Sequence, residues 1–402
     1  MSRITKQIIS DAIASRSYKQ PATSQKDARD LQISVDGMSF GLTTGNNTGG
    51  VSQNLYFDAD ASKVLLSFLK DLLKESKKLG REIETPIQSI FFGAPGTGKS
   101  FKIDDPEKGY GLKDVDESRK FRTTFHPDYD YAQFVGAYKP KKEGNAITYS
   151  FVPQVFAKAY AATWKQYFAA GNASTADNQV YLVIEEINRG NCAQIVGDIF
   201  QLLDRDSEGF SQYSIDADCD FAEWLKEDSI LKTVWSDYET KVGDGKLKLP
   251  PNLNILATMN TSDQSLFPMD SAFKRRFDWE YVPISFEGKD AANYQIDIDG
   301  SQYSWQNFVE TVNDKILDLT ESEDKQLGEF FIKPDNGNII SKERFLGKVM
   351  FYLWNEVCKD EHKNGSFFRA KINDKEDFFT FQDLYKKKDL LKLFMDELLK
   401  KE

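Results

Sequence analysis

The sequence predicts an α/β fold, a parallel sheet flanked by helices around a phosphate-binding loop, with a small N-terminal region before it and a helical C-terminal region after it. Three stretches predict this. Gly93 to Ser100 reads GAPGTGKS behind the apolar residues Ile87, Ile90, Phe91 and Phe92. Val180 to Ile184 (VYLVI) is an unbroken apolar run closed by Glu185 and Glu186, and Leu253 to Thr258 (LNILAT) is a mainly apolar one ending in Met259 and Asn260. Runs of this length are what strands covered on both faces look like, and polar residues at their C-terminal tips lie where open α/β sheets bind ligands.

The first stretch is a complete G-x-x-x-x-G-K-[ST] pattern. In a strand-loop-helix setting the backbone N–H groups of Gly93, Ala94, Pro95, Gly96, Thr97 and Gly98 wrap phosphates, proline excepted because it has no N–H. Lys99 neutralises the β/γ oxygens, and the Ser100 hydroxyl is a ligand for Mg²⁺. Upstream, Val64, Leu65, Phe68, Leu69, Leu72 and Leu73 recur with helical period between Asp58 and Lys78. Earlier still, Ile4, Ile8, Ile9, Ala12 and Ile13 suggest a short amphipathic helix with basic neighbours. Gly41 to Gly50 (GLTTGNNTGG) reads as a turn or linker.

After the loop, Lys120–Phe125 reads as a strand, Ile147–Val152 as half of a hairpin and Gln154–Ala169 as an amphipathic helix. At the tip of the VYLVI strand, Glu185 is placed to support Mg²⁺, and Glu186 to accept a proton from an attacking water. At the next strand tip the amide of Asn260 is placed to orient that water. Asp270 to Phe277 (DSAFKRRF) reads as a short helix capped by Asp270 and ending in Arg275 and Arg276, followed by a strand over Trp279–Ile284. Between these motifs, residues 206–246 form an acidic insertion with a helical stretch around Phe221–Tyr238, a solvated excursion or a contact surface. Beyond Ile284 the chain reads as mainly helical, with apolar runs at Phe308–Leu319, Phe345–Val357 and Leu384–Leu399.

Composition narrows the function classes. Across 402 residues the net charge is −11, with 40% hydrophobic and 29% charged residues, three cysteines and two histidines. The acidic balance gives no support for a uniformly basic nucleic-acid surface. The cysteines form no disulfide framework or metal motif, and two histidines leave little for a histidine-rich metal site. No run approaches the ~20 apolar residues of a membrane span, and the first thirty residues lack a signal-peptide core, so a cytoplasmic location is expected. The Glu-x-Lys matches at Glu75–Lys77 and Glu361–Lys363 lack a paired strand aspartate, and neither reads as a nuclease site.

The order strand–phosphate loop, strand–Glu–Glu, strand–Asn, helix–Arg–Arg resembles that of AAA+ proteins. More narrowly, IEEINRGN (Ile184–Asn191), MNTSDQS (Met259–Ser265) and AFKRRF (Ala272–Phe277) resemble the McrB family, motor subunits of modification-dependent restriction systems. The likeness extends through HPDYDY from His126, DKQLGEFFIK (Asp324–Lys333) and FYLWNEV (Phe351–Val357), roughly from Pro86 onward.

The residue pattern divides the chain into a small region at 1–58, for docking or DNA contact, a core over 59–284 and a mainly helical part over 285–402, and the resemblance implies that the core is AAA+ and the helical part its lid. It implies Mg²⁺-dependent hydrolysis of ATP or GTP in a homo-oligomeric ring, a hexamer, that drives DNA translocation or activates a separate McrC-like nuclease subunit in anti-phage restriction. Lys99 and Ser100 correspond to the phosphate and Mg²⁺ ligands, Glu186 to the base, Asn260 to the sensor, and Arg275 or Arg276 to a finger acting on the neighbouring subunit. Asn188 and Arg189 would sit at the subunit boundary, and Asp263 would hold a water or a neighbouring arginine. Glu185 stands where aspartate is usual, and Gln264 where arginine is. A protein-remodelling chaperone of the MoxR or dynein-related kind is the alternative.

Overall fold

The computed structural model describes residues 30–35, 38–43, 86–107, 109–143, 146–261, 267–359, 367–372 and 375–400. The chain divides into two compact units, residues 1–76 and 77–402. In the first, β1 (Asp30–Val35) and β2 (Met38–Thr43) form an antiparallel hairpin. Gly41 to Thr43, read above as turn or linker, are therefore strand, paired with Gln32, Leu31 and Asp30. The helices expected near Ile4 and over Asp58–Lys78 lie outside the described residues.

The second unit is built on β3 (Gln88–Gly93), α1 (Lys99–Asp104), β4 (Lys120–Thr124), α2 (Tyr131–Phe134), the hairpin β5 (Gly136–Glu143) and β6 (Ala146–Pro153), α3 (Val155–Ala169), β7 (Val180–Glu185) and α4 (Cys192–Val196). The insertion follows with β8 (Ile215–Asp216), α5 (Cys219–Glu227), α6 (Trp235–Val242) and β9 (Lys246–Leu247). After it come β10 (Leu253–Asn260), α7 (Ser271–Lys274) and β11 (Asp278–Tyr281). Five strands make one parallel sheet in the order β11-β3-β10-β7-β4. The apolar runs become its centre because both faces are covered. Leu182, Ile184, Ile255 and Ala257 join the core on the α3 side, while Tyr181, Val183 and Leu256 pack with Ile103 of α1 on the other.

Helix α3 departs from the amphipathic reading. Phe156, Ala159, Tyr160, Ala161, Thr163, Trp164 and Tyr167 are all buried, so the helix is covered on more than one side. The insertion provides the second cover. The Tyr160 hydroxyl meets that of Tyr238 at 2.7 Å, Trp164 Nε1 donates to the carbonyl of Lys248, just beyond the insertion, at 2.9 Å, and the rings of Phe221 and Trp224 pack against Phe151 of β6. Residues 206–246 are thus an outer layer on the core. Its helical stretch is also two helices, separated by the turn in which Ser229 Oγ accepts from the N–H of Leu231.

The C-terminal part has its own core around Trp305, Phe308, Val312, Phe345, Met350, Phe368 and Phe394. It is less purely helical than its sequence suggests. Strands β12 (Gln295–Ile298) and β13 (Ser301–Ser304) form a hairpin, joined in one sheet by β14 (Ile339–Ile340) after α8 (Trp305–Thr320). Helix α9 (Lys342–Arg344) continues through π-wound turns at Phe345–Met350 and Leu353–Val357. A second hairpin, β15 (Arg369–Ile372) with β16 (Lys375–Phe378), precedes α10 (Asp383–Lys386) and α11 (Leu390–Leu398). Among the described residues no helix is long and apolar enough to cross a membrane.

Candidate active site

The loop Gly93–Ser100 leaves the C-terminal end of β3 and enters α1. Gly96 and Gly98 have φ of +86° and +82°, a region where side chains are strained, which explains glycine at both. Thr97 Oγ1 donates to the Ala94 carbonyl at 3.1 Å and closes the loop on itself. Lys99 is buried and its ammonium donates to the carbonyls of Gly93 and Ala94, both at 3.0 Å. Burial pushes its pKa down, while the carboxylates of Glu186 and Glu185 pull in the opposite direction.

Opposite the loop, the tip of β7 brings both carboxylates into place. Glu185 Oε2 accepts from Ser100 Oγ at 2.9 Å and from Thr258 Oγ1 at 2.5 Å, while Oε1 lies 3.4 Å from Arg122 Nη1. Arg122 also pairs with Asp104. A hydroxyl beside a carboxylate is a hard-oxygen donor set, which suits Mg²⁺, and the extra methylene of Glu185 does not keep it from reaching Ser100.

Glu186 adopts a left-handed backbone conformation (φ 55°, ψ 48°), unfavourable by ~1–2 kcal/mol for a residue with a side chain. Two bonds hold it. Its N–H donates to Thr258 Oγ1 at 3.1 Å, and its carbonyl accepts from Arg189 N–H at 2.9 Å. The outcome is a carboxylate directed at β10, where Asn260 Nδ2 donates to Glu186 Oε1 at 2.5 Å.

Thr258 therefore ties both acidic residues to the adjacent strand, a role that sequence reasoning missed. The signal was available, because Thr258 lies two residues before Asn260 and so on the same face of β10. Arg122 was missed as well, and it falls on the same face as Val183 by its register with β7.

Asn188 is placed differently from the expectation of a subunit boundary. It is buried, its Nδ2 donates to the Asn260 carbonyl at 2.7 Å and its carbonyl accepts from Phe267 N–H at 2.9 Å, so it braces the turn after β7 within its own chain. Arg189 is exposed. Asp263 and Gln264 lie outside the described residues.

The two arginines after α7 separate from each other. Arg276 Nη2 pairs with Asp204 at 2.5 Å, Nη1 donates to the Ala272 carbonyl at 2.8 Å, and the guanidinium lies 3.8 Å from the centroid of the Phe200 ring. Its side chain is 8% exposed. Those contacts commit Arg276 to its own chain and leave it unsuited to reach another subunit, a correction to its pairing with Arg275 as a finger candidate. Arg275 is exposed. Both precede β11, and the Arg276 carbonyl accepts from Gln88 Nε2 at the start of β3. The phosphate loop begins at the other end of that strand, five residues on, roughly 16 Å away at ~3.3 Å per residue. Neither arginine therefore belongs to the constellation at Lys99 and Glu186.

Comparison with known proteins agrees with this architecture. Residues 88–277 match the AAA domain (dynein-related subfamily). The Type II restriction enzyme BsuMI component YdiS of Bacillus subtilis (strain 168) is 33% identical over 330 residues, which cover 74% of this chain and 88% of that protein. The Type IV methyl-directed restriction enzyme EcoKMcrB subunit of Escherichia coli (strain K12) is 24% identical over 242 residues, 59% of this chain and 43% of that one. The chain belongs to the McrB family of AAA+ NTPases. As a McrB-family protein it is a nucleoside triphosphatase, and its strand order places the phosphate loop on β3 between β10 and β11. A solved structure from Cytophaga hutchinsonii ATCC 33406 covers 65% of this chain and 72% of its own at 12% identity and a TM-score of 0.26, too loose a likeness to add to the assignment.

Proposed function

We propose that this McrB-family chain hydrolyses ATP or GTP with Mg²⁺ in a homo-oligomeric ring, a hexamer, and that the ring drives DNA translocation or activates a McrC-like nuclease partner in anti-phage restriction. Within the second compact unit, residues 77–284 of the expected 59–284 core serve to bind nucleotide and 285–402 serve as the lid. The observation that carries the ring is the distance between the two halves of the chemistry. Lys99, Ser100, Glu185, Glu186 and Asn260 gather at the C-terminal edge of the sheet, while exposed Arg275 stands at the opposite edge, out of reach of its own phosphate loop. An arginine so placed can stabilise transferring phosphate charge only in a neighbour, which calls for head-to-tail contacts between copies, and a ring is the closed form of such contacts.

In this reading phosphate oxygens replace the Gly93 and Ala94 carbonyls as partners of Lys99. Ser100 directly, and Glu185 through water, would hold Mg²⁺, which when bound neutralises charge on the phosphates. Asn260 fixes the Glu186 carboxylate, and Glu186 accepts the proton of the attacking water at its carboxylate oxygen. Arg189 and Asp263 are assigned to the subunit boundary and the nucleotide, respectively.

Glu186→Gln is expected to bind nucleotide and to stop turnover, and undiminished turnover would sink the assignment. Arg275→Ala should be inactive alone yet regain activity when mixed with inactive Lys99→Ala, at about one quarter of interfaces for random equal mixing in a head-to-tail ring. No regain would remove the trans arginine. The match to a dynein-related subfamily supports a second reading, remodelling of proteins. Stimulation of hydrolysis by DNA or by a nuclease subunit favours the first reading, and stimulation by unfolded polypeptide the second.

A further inference from the structure

The segment around LGEFF belongs to the C-terminal part of the chain, yet it lies on the phosphate loop. Gly328 N–H donates to the Pro95 carbonyl at 2.9 Å, and Phe330 N–H to the Gly96 carbonyl at 2.8 Å. In a planar trans peptide the C=O and the following N–H point in opposite directions. Fixing the Pro95 and Gly96 carbonyls from outside therefore aims the N–H groups of Gly96 and Thr97 to the other side of the loop.

We propose that Gly328–Phe330 is a clamp that positions the Gly96 and Thr97 N–H groups for phosphate, so that the C-terminal region is part of the phosphate site itself. The proposal rests on the nucleotide-hydrolysis reading and adds positioning residues to it. The approach is too close for any side chain. A Cβ on Gly328 would lie 2.3 Å from the Gly96 carbonyl carbon and 2.4 Å from Thr97 N, and a Cβ on Gly96 would lie 2.5 Å from Phe331 N.

The clamp is also held rigidly from behind. Asn313 grips Leu327 twice, accepting from its N–H at 2.7 Å and donating to its carbonyl at 2.9 Å. Trp305 Nε1 donates to the Glu329 carbonyl at 2.8 Å. The Glu329 side chain is fully buried and ion-paired with Lys289, whose ammonium lies 5.5 Å from the centroid of the Phe330 ring. Every one of these anchors comes from the C-terminal part of the chain. A displacement of that part is thus transmitted to two peptide units of the phosphate loop.

The test uses the full chain with Mg²⁺ and titrates ATP, GTP and inorganic tripolyphosphate against the wild type, Gly328→Ala, Glu329→Gln and the core control Phe394→Leu, with a melting temperature for each. Gly328→Ala should weaken tripolyphosphate and the better-bound nucleotide by the same factor, about 10-fold or ~1.4 kcal/mol, because the clamp acts on phosphate and not on base. Glu329→Gln, which keeps the shape and removes the ion pair, should weaken both about 3-fold, and it carries the test if Gly328→Ala does not fold. Phe394→Leu should lower the melting temperature and leave affinity unchanged. Wild-type affinity in the folded clamp variants, or an equal affinity loss in Phe394→Leu at the same melting temperature, overturns the clamp. Failure of the wild type to bind either nucleotide or tripolyphosphate overturns the hydrolysis reading beneath it.

Discussion

Thr258→Val is the sharpest perturbation of the proposed site, because valine has nearly the same shape and suits a buried strand, so that only the hydroxyl is lost. In the native chain that hydroxyl is 2.5 Å from Glu185 Oε2 and 3.1 Å from Glu186 N, in a residue 2% exposed. A bond to a charged group contributes ~1.5–3 kcal/mol, and a buried N–H left without an acceptor costs ~1–3 kcal/mol. The two are not additive, since Ser100 and Arg122 still hold Glu185, so the expected loss is about 2–4 kcal/mol. Thr258→Ser keeps the hydroxyl and removes a methyl, for about 0.8 kcal/mol. Urea denaturation of the three proteins measures the contrast. Because the lost N–H bond also holds Glu186 in its left-handed conformation, turnover should fall at least ~10-fold in Thr258→Val with KM nearly unchanged, the signature of a misplaced reacting group. A Thr258→Val protein as stable and as fast as the wild type would refute the claim that this threonine sets the position of the acidic pair.

The adjacent arginines should divide stability from activity. Arg276→Ala strips Asp204 of its partner and Phe200 of its stacked cation, and is expected to lose about 2–4 kcal/mol by denaturant titration. Arg275→Ala should stay within about 0.5 kcal/mol of the wild type and lose turnover. Tyr238→Phe removes the hydroxyl that meets Tyr160 and donates to the Lys246 carbonyl, for about 1–3 kcal/mol in the same assay. Burial holds the Glu329 carboxyl above its ordinary value of 4.5, outweighing the opposing pull of Lys289. The native chain then binds more protons than the unfolded one, so this group's stabilisation is complete below the unfolded value and is lost as pH rises through the folded one. Glu329→Gln should flatten that part of the stability–pH profile, and an unchanged slope would reassign it.

The legible part of the fold was the part whose burial is written locally. β7 and β10 are covered on both faces, and the continuous apolar run of the first and the mainly apolar run of the second say so. Hairpins with one covered face were harder, although their signal was present. Ile296 and Ile298 alternate before Asp299-Gly300, and both turn residues have positive φ (50° and 88°), the backbone that an Asp-Gly hairpin turn requires. Helix α3 was misjudged for the opposite reason. Its second cover comes from residues 206–246, and nothing in the helix itself records a layer contributed from so far along the chain.

The same distinction governs the site. Loop geometry is local in sequence, so the strand–loop–helix around Gly96, Gly98 and Lys99 could be read from eight residues. The functions of Arg275 and Arg276 could not, because what separates them is Asp204, seventy-two positions before Arg276, and Phe200 on the same segment. One guanidinium is drawn into a salt bridge and a ring contact, and the other remains exposed on the next residue back. Arg275 is the C-cap of the four-residue helix α7 and Arg276 the residue after it, and the chain turns the second guanidinium inward while leaving the first exposed. The inward one fixes the helix against α4's downstream segment and thereby fixes the direction of the outward one. Arg276 is therefore expected to matter to catalysis only through Arg275. Arg276→Lys, which keeps the charge but not the two-sided fork, should lose stability and turnover together, whereas Arg275→Lys should lose turnover alone. Equal stability losses in the two lysine variants would show that the neighbours share one structural task and that the trans arginine lies elsewhere.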